Sequence, residues 1–407
     1  SEMLTLTSVV ANNGLIQAQT SGWDIRAVQV SVTTGSDAND ITIASGGSLA
    51  IGRLSAAGLG DIQLSATGDI ENDVIDAGVN DLIADTLTVT AGSSFGDISP
   101  FDLDVTTASI TNINGSIGVN AIGSGGINLT ATTTAAGDIT ATASERLTLG
   151  VITTASGNVT LTDTNDSIVL NQAITANGDI AISAYAGVTI AATGSVTTAL
   201  NSGGNVGITV DSGNSAAVTF LANGGISSDG ALTIQSGTTT GVTNDIADVN
   251  ADLTSVGAML IQHFSVLDLA SDVDLTGQSI DVANRIDSLL LSGTTSNRLT
   301  ATGPIRLDRI ANAASSLIIN AGDGLLTLNT LSGSGDLQVV DASAVTVAGA
   351  LTAGSVQFLV GNTGAVNFGG TFSANTLTLA NGGGSVSFAG NVSAGTITTS
   401  ANPYVVS

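Results

Sequence analysis

The sequence predicts an all-β fold, a right-handed parallel β-helix with about 20 residues per coil. Three observations predict it. Short segments in which two aliphatic residues flank a polar one recur about every 20 residues. Glycine occurs 51 times and proline only three times, which is typical of many strands joined by tight turns. Apolar residues form 43% of the chain but aromatic residues only 3%, so the core must be thin and aliphatic.

The recurrence is clearest near the C-terminus, where two series of segments interleave at a nearly constant interval. The first series is Leu326-Thr327-Leu328, Val345-Thr346-Val347, Val366-Asn367-Phe368 and Val386-Ser387-Phe388. The second is Leu317-Ile318-Ile319, Leu337-Gln338-Val339, Val356-Gln357-Phe358, Leu377-Thr378-Leu379 and Ile397-Thr398-Thr399. Because alternate residues of a strand point to one face, each series predicts a column of inward aliphatic side chains.

The N-terminal half contains the same two columns. One comprises Ile127-Asn128-Leu129, Leu147-Thr148-Leu149, Ile168-Val169-Leu170 and Val188-Thr189-Ile190, and its companion comprises Ile139, Val159 and Ile180. With ~20 residues per coil, the chain is expected to make about 20 coils in one continuous solenoid over residues 1–407.

One irregular insertion is expected around residues 237–260, where the ladder spacing stretches from Leu232 to Leu260. Within it, Asp245 to Leu260 is compatible with a short helix, a bulge or a loop insertion. An antiparallel sandwich is the alternative fold, since it also uses short strands with frequent turns. The constant step favours the solenoid, because a sandwich has no reason to repeat its inward positions at a fixed distance.

The turns share a Gly-Asp/Asn-aliphatic signature. It occurs at Gly60-Asp61-Ile62, Gly68-Asp69-Ile70, Gly96-Asp97-Ile98, Gly137-Asp138-Ile139, Gly157-Asn158-Val159, Gly178-Asp179-Ile180, Gly204-Asn205-Val206 and Gly335-Asp336-Leu337. We expect the glycine to supply a positive φ and the Asp or Asn to hydrogen-bond the local backbone. The aliphatic residue is expected to begin the next inward strand.

The net charge is −26, and all seven basic residues are arginine. Such a surface disfavours nucleic acid and anionic membrane as partners, because phosphate binding requires clustered basic residues.

The chain has no cysteine, so disulfides and thiol chemistry are excluded. No apolar run approaches the ~18 residues of a membrane span, and the first residues lack signal-peptide features, so we expect a mature chain or an excised segment.

Three phrases in the sequence are similar to those of a known family. They are G-D-I-x-L at 60–64, T-L-T-V-T-A at 86–91 and A-G-x-I-x-T at 394–399. Together with the short coils, these phrases resemble the filamentous haemagglutinin-like exoproteins and the shafts of related bacterial adhesins. The resemblance implies secretion to the bacterial cell surface and an extracellular structural or adhesive rod. Its expected partners are a host or neighbouring-cell surface, matrix or carbohydrate. The family's amino-terminal secretion motifs are not found, and no individual functional residue is carried over.

The sequence is poor in catalytic groups, and we expect no enzyme activity and no catalytic residues. His263 is the only histidine, which excludes a multi-histidine metal site and leaves any Ser-His-Asp triad dependent on this one residue. It is expected in a turn or on the surface.

The alternative function is a β-helical polysaccharide-active enzyme or carbohydrate-binding module, which would need paired carboxylates and aromatic platforms. The only Trp and Tyr residues, Trp23, Tyr185 and Tyr404, are scattered.

Four of the seven arginines lie in one charged segment. Its members are Asp281, Arg285, Asp287, Arg298, Arg306, Asp308 and Arg309. The spacing of Arg285 and Arg306 is close to one coil and would place one above the other on adjacent coils. We interpret the segment as an Arg/Asp ladder on a solvated face rather than a site for a carbohydrate or acidic ligand.

No cofactor is expected. Two acidic triplets have enough oxygen atoms to bind an isolated calcium ion, namely Asp37, Asn39 and Asp40, and Asp163, Asn165 and Asp166. Asx-turns are the expected role of both triplets. The glycine-rich stretches Gly203-Gly204, Gly224-Gly225 and Gly382-Gly384 lack the lysine of a phosphate-binding loop.

Threonine runs at 132–134 and 238–240 raise the hypothesis of an ice-binding array. That function requires outward T-x-T at the same place on consecutive coils. T-x-T occurs only sporadically in the sequence, so the threonines are interpreted as ordinary outward strand residues.

Neither end of the chain has a polar cap, so the end coils are expected to pair with another copy and give head-to-tail filaments.

Overall fold

The computed structural model describes residues 2–35, 37–73, 79–210, 217–237, 245–282, 286, 288–312, 315–359, 361, 364–380 and 384–399. No helix occurs among them, and about 62% of the chain is strand. The sheet is entirely parallel and forms a β-solenoid of about 17 turns with about 21 residues per turn. The solenoid prediction is therefore confirmed, and the antiparallel sandwich is wrong.

The number of turns is lower than the 20 expected because some coils are long. Val206 pairs with Leu232, and Leu232 pairs with Met259, so both of these coils exceed the average of about 21 residues per turn. The strands of these coils stay in register, so the added length falls between strands.

The chain divides into two compact units, Ser1–Gly204 and Asn205–Ser407. The strands of the first unit are β1 (Met3–Leu6), β2 (Val9–Ala11), β3 (Ile16–Gln19), β4 (Asp24–Val32), β5 (Ile41–Ser45), β6 (Leu49–Ala56), β7 (Ile62–Ala66), β8 (Ile70–Asn72), β9 (Leu82–Ala91), β10 (Phe101–Asn112), β11 (Ile117–Ala121), β12 (Ile127–Thr133), β13 (Ile139–Ala143), β14 (Leu147–Thr154), β15 (Val159–Asp163), β16 (Ser167–Leu170), β17 (Ala173–Ala176), β18 (Ile180–Ala184), β19 (Gly187–Ile190) and β20 (Ser195–Thr198).

The strands of the second unit are β21 (Val206–Val210), β22 (Thr219–Ala222), β23 (Ile226–Ser228), β24 (Leu232–Ser236), β25 (Ile246–Val249), β26 (Leu253–Ser255), β27 (Ala258–Gln262), β28 (Val266–Leu269), β29 (Asp274–Gly277), β30 (Ser279–Val282), β31 (Ser288–Leu291), β32 (Ser296–Ala301), β33 (Ile305–Asn312), β34 (Ser316–Asn320), β35 (Leu325–Gly333), β36 (Leu337–Asp341), β37 (Ala344–Val347), β38 (Leu351–Phe358), β39 (Val366–Phe368), β40 (Phe372–Leu379), β41 (Val386–Phe388) and β42 (Val392–Thr399).

The predicted aliphatic columns are confirmed in both units. In the first unit, Ile127, Leu147, Ile168 and Val188 are in register on adjacent strands, as are Ile139, Val159 and Ile180. In the second unit, Leu326, Val345, Val366 and Val386 form one column, and Leu317, Leu337, Val356, Leu377 and Ile397 form the other. All of these side chains are buried except Ile397, which lies on the last strand.

A third column lies between the two that the sequence predicts. In the first unit it comprises Ile110, Ala131, Ile152, Ile174 and Val196. In the second unit it comprises Leu331, Leu351, Phe372 and Val392. Its members are hard to recognise because long strands such as β10 and β35 bend and supply two columns each, which hides the boundary between them.

The segment from Asp245 to Leu260 forms strands β25, β26 and part of β27 rather than a helix. Its apolar residues alternate with period 2, so that Ala247, Val249 and Leu253 point inward and are buried. Leu232 is in register with Met259, whereas Leu260 lies opposite Thr233 on the outward face. Of the expected irregular segment, residues 238–244 lie outside the described residues.

Candidate functional site

The turn signature builds a hydrogen-bonded ladder from coil to coil. Ser116 Oγ accepts a hydrogen bond from Asp138 N at 3.3 Å, Asp138 Oδ1 accepts one from Asn158 N at 2.7 Å, and Asn158 Oδ1 accepts one from Asp179 N at 2.8 Å. The side chain thus bonds the equivalent residue of the next coil, and the expected bond to its own turn is replaced. Each rung joins equivalent turns of two successive coils.

The same ladder recurs along both units. Further rungs join Asp24 to Ser48, Ser48 to Asp69, Asp69 to Ser94, Asp40 to Asp61, Asp61 to Thr86, Asn205 to Ala231, Asp252 to Asp274 and Asp336 to Ser355. In every rung the side chain of the earlier coil accepts and the backbone N–H of the later coil donates. The ladder is therefore directional and supplements the strand hydrogen bonds at the turns.

The signature glycines are required mainly for close approach between coils. A Cβ at Gly157 would lie 2.2 Å from the carbonyl oxygen of Gly137, and a Cβ at Gly178 would lie 2.4 Å from Asn158 Oδ1. Among the signature glycines in the described residues, only Gly96 and Gly137 have a positive φ. The expectation that each glycine supplies a left-handed corner is thus wrong for most of them.

His263 lies in a turn, as predicted. It follows β27, has a positive φ of 67° and is half-buried. Its Nδ1 lies 3.4 Å from the carbonyl oxygen of Ser236, which is its only hydrogen-bonding contact within the described chain. This contact holds the imidazole ring against the preceding coil. Among the described residues, His263 forms no triad with a serine and an aspartate.

The charged segment forms a cross-coil ion pair. Asp281 and Arg306 are in register on β30 and β33, and Arg306 Nη1 lies 3.1 Å from Asp281 Oδ2. Arg298 lies in register with Asp274. Both arrangements place Arg against Asp on adjacent coils, as the ladder interpretation requires, and exposed pairs of this kind stabilise by about 0–1 kcal/mol. Arg285 and Asp287, and with them the expected Arg285–Arg306 stack, lie outside the described residues.

Two members of the first acidic triplet, Asn39 and Asp40, are engaged in hydrogen bonds within the protein. Asn39 is buried, its Oδ1 accepts a hydrogen bond from Gly14 N at 2.7 Å, and its Nδ2 donates to the carbonyl of Thr34. Asp40 Oδ1 accepts from Asp61 N at 3.1 Å as a rung of the ladder. Within the described ranges, no group of three or more His, Asp or Glu residues is placed to hold a metal ion.

The second triplet forms an Asx-turn around a fully buried carboxylate. Asp163 Oδ1 accepts hydrogen bonds from Asn165 N at 3.0 Å and Asp166 N at 2.6 Å. Asp163 is 0% exposed, and its Oδ2 has no hydrogen-bond partner in the described structure. Burial raises the pKa of Asp163, and the two N–H groups oppose that shift. Alternate residues of β15, counted from Val159, point inward, and Asp163 is one of them. This alternation could have identified Asp163 as a buried carboxylate from the sequence.

Two further carboxylates meet on the outer face of the second unit. Asp248 on β25 and Asp268 on β28 are in register on adjacent strands. Burial, followed by the charge of Asp268, raises the pKa of Asp248, and a hydrogen bond with Asn250 opposes the shift. Asp268 Oδ1 is shielded from solvent and has no hydrogen-bond partner among the described atoms. Sequence reasoning missed this pair because neither residue belongs to a recognisable motif.

A column of threonines follows the outer face of the first unit. Thr90, Thr111, Thr132, Thr153, Thr175 and Thr197 are in register on six consecutive coils. Each one alternates with buried neighbours and therefore points outward. A single outward threonine is thus continuous over six coils, although T-x-T is as sporadic as expected. The nearly constant spacing of these threonines could have revealed the column, but the T-x-T pattern is complete on only some of the coils.

No helix in the described part of the chain is long and apolar enough to cross a membrane. Comparison with protein-family models, with curated proteins and with solved structures finds no match to this chain.

Proposed function

We propose that the chain is a structural and adhesive β-helical rod of a secreted bacterial surface protein. The observation that carries the proposal is the coil-on-coil construction of each unit. Aliphatic columns repeat on successive coils, and side-chain rungs such as Asp138–Asn158–Asp179 join those coils at the turns. A solenoid of this kind gains stability from each added coil and spans distance without a separate core.

The surface chemistry supports a role in presentation rather than catalysis. A net charge of −26 keeps strand-rich molecules apart in solution, because like charges repel. A repeated face can bind a host or neighbouring-cell surface, matrix or carbohydrate through many weak contacts, whose avidity exceeds the affinity of any one. The resemblance of the coil phrases to the filamentous haemagglutinin-like exoproteins supports the same function.

Self-assembly through the end coils is part of the same proposal. The strands within each unit pair in parallel and in register, as Leu377 does with Ile397, and a parallel sheet of this kind can add a further strand from another copy. We propose that the last coil of one copy pairs with the first coil of the next, which would extend the parallel sheet.

Electron microscopy and light scattering of the purified protein test this proposal. We expect elongated particles and, at high concentration, filaments whose length falls when Leu4→Lys or Ile397→Lys introduces a charge at the junction. The matched control is Thr5→Lys, which adds the same charge at an exposed position of β1. Compact particles would contradict the rod, and a monodisperse monomer at high concentration would contradict self-assembly alone.

A second candidate function, cleavage or binding of a polysaccharide, is favoured by the Asp248–Asp268 pair. Glycoside hydrolysis uses two carboxylates, of which the acid has a raised pKa, and Asp248 has that property. Incubation with acidic and neutral polysaccharides and measurement of released reducing ends tests it. Release that is lost in Asp248→Asn and kept in Asp308→Asn would favour the enzyme, and no release from any substrate would argue against it.

A further inference from the structure

We propose that the threonine column of the first unit is an ice-binding surface. This function goes beyond the structural role proposed above and does not depend on it. The surface is defined here as the threonine strip. It consists of Thr90, Thr111, Thr132, Thr153, Thr175 and Thr197 together with the outward residues two positions earlier, Thr88, Ser109, Thr130, Val151, Ala173 and Ser195.

The strip is a two-column array on six consecutive coils. T-x-T is complete only on the coils of Thr90 and Thr132, so the unbroken first column of threonines, rather than a repeated T-x-T, carries the proposal. Within the first column, neighbouring threonines lie on hydrogen-bonded strands, which are ~4.8 Å apart, so six members extend about 24 Å. The two columns lie two residues apart on each strand, which is ~6.7 Å. In the second column Thr88, Ser109 and Thr130 are in register, and so are Ala173 and Ser195. The spacing is fixed by the sheet and requires no ordering of loops.

A bulge interrupts the second column without covering it. The register shifts between β12 and β14 at this point, so that Thr130 lies beside Gly150. A Cβ at Gly150 would come within 2.3 Å of Thr130 Oγ1. Glycine at this position therefore leaves the Thr130 hydroxyl in place, and the array continues on the next coil.

The groups on the strip suit ordered water. None of its twelve positions carries a charge, in a chain with a net charge of −26. Within the described chain, the hydroxyls of the six first-column threonines make no hydrogen bond to the protein. Each hydroxyl can donate one hydrogen bond and accept two, and each adjacent methyl group favours an ordered first shell of water. Thr90 and Thr111 are exposed, and the other four threonines are half-buried.

The regularity of the strip selects a crystalline ligand. A ligand that repeats its own groups at fixed spacing makes the same contact on every coil, so that weak contacts add along the column. A flexible chain molecule would have to be ordered before it could make the same contact on every coil, and that ordering costs conformational entropy. The strip also lacks the aromatic and arginine anchors that dominate protein interfaces, which disfavours a second copy as the occupant. Ice is a crystalline ligand made entirely of hydrogen-bond donors and acceptors, and it needs neither charge nor aromatic platforms.

Partition of the purified full-length protein into slowly growing ice tests the proposal. We expect the wild type to be enriched in the ice, and Thr132→Lys to lose that enrichment because a long charged side chain stands at the centre of the array. The matched control is Thr189→Lys, a half-buried outward threonine on β19 whose partner in register is Val169. It should partition as the wild type does. Circular dichroism and urea unfolding of all variants establish that each is folded.

Two conservative variants separate the roles of the hydroxyl and the methyl group. Thr132→Ser keeps the hydroxyl and Thr132→Val keeps the methyl, and we expect each to lower the enrichment less than Thr132→Lys does. Exclusion of the wild type from ice, or equal partition of Thr132→Lys and the wild type, would overturn the proposal. A dimer that dissociates in Thr132→Lys, seen by light scattering, would also overturn it, since the strip would then be a protein interface.

Discussion

The turn ladder makes a quantitative prediction at Asn158, the neutral member between Asp138 and Asp179. Asn158→Ala removes the acceptor of the 2.8 Å hydrogen bond from Asp179 N. A hydrogen bond contributes about 0.5–1.5 kcal/mol, and this one is exposed, so we expect a loss of about 0.5–1 kcal/mol in the free energy of unfolding. The difference in the free energy of unfolding between Asn158→Ala and the wild type should be the same at low and at high salt.

Asn158→Asp keeps the acceptor and adds a third carboxylate to the stack. If the charges are separated by the strand spacing of ~4.8 Å, each pair repels by about 0.9 kcal/mol in water, or about 1.7 kcal/mol for the two neighbours. At ~0.5 M salt the Debye length falls to about 4 Å and screening reduces the repulsion to roughly a third. We therefore expect the Asp variant to regain about 1 kcal/mol relative to the wild type between low and high salt.

Urea unfolding of the three proteins at both salt concentrations measures these differences, with the wild type as the reference for the general effect of salt on an acidic chain. Equal salt responses of the Ala and Asp variants would refute the stacked geometry of the three side chains. An Ala variant as stable as the wild type would refute the contribution of the inter-coil hydrogen bond.

Three further predictions concern packing and protonation. Gly157→Ala should lower stability by about 1–3 kcal/mol in thermal unfolding because its Cβ meets a carbonyl at 2.2 Å, whereas Gly207→Ala, with nothing within 4 Å, should not. Leu149→Ala should cost about 2–5 kcal/mol in urea unfolding because its side chain is fully buried, and the outward Thr148→Ala should change little. The raised pKa of Asp248 means that the folded state binds its proton more tightly than the unfolded state, so stability should fall as pH rises above about 3.9 through the raised value. Asp248→Asn should flatten this decline in a series of unfolding midpoints against pH, and an unchanged slope would contradict the assignment.

The candidate site was only partly predictable from the sequence. His263 and the Asx-turn at Asp163 lie as expected, because short-range turn chemistry decides both. The register of Asp281 with Arg306 and of Asp248 with Asp268 was not predicted, because it depends on how many residues each intervening turn contains. The hydrogen-bond partner expected for the Asp or Asn of the turn signature was also wrong, since side chains such as Asp138 and Asn158 bond the next coil instead of their own turn.

The sequence by itself determined the solenoid, because alternation with period 2 and recurrence at the length of one coil define which side chains face inward and how often they return. It also determined the columns beginning at Ile127 and Leu326, where turn lengths barely vary. Only the tertiary structure decided the third column, the register of Leu232 with Met259 and the threonine strip. The physical reason is that pattern fixes the face on which a residue lies, whereas register between coils is fixed by backbone hydrogen bonds that turns of unequal length must accommodate.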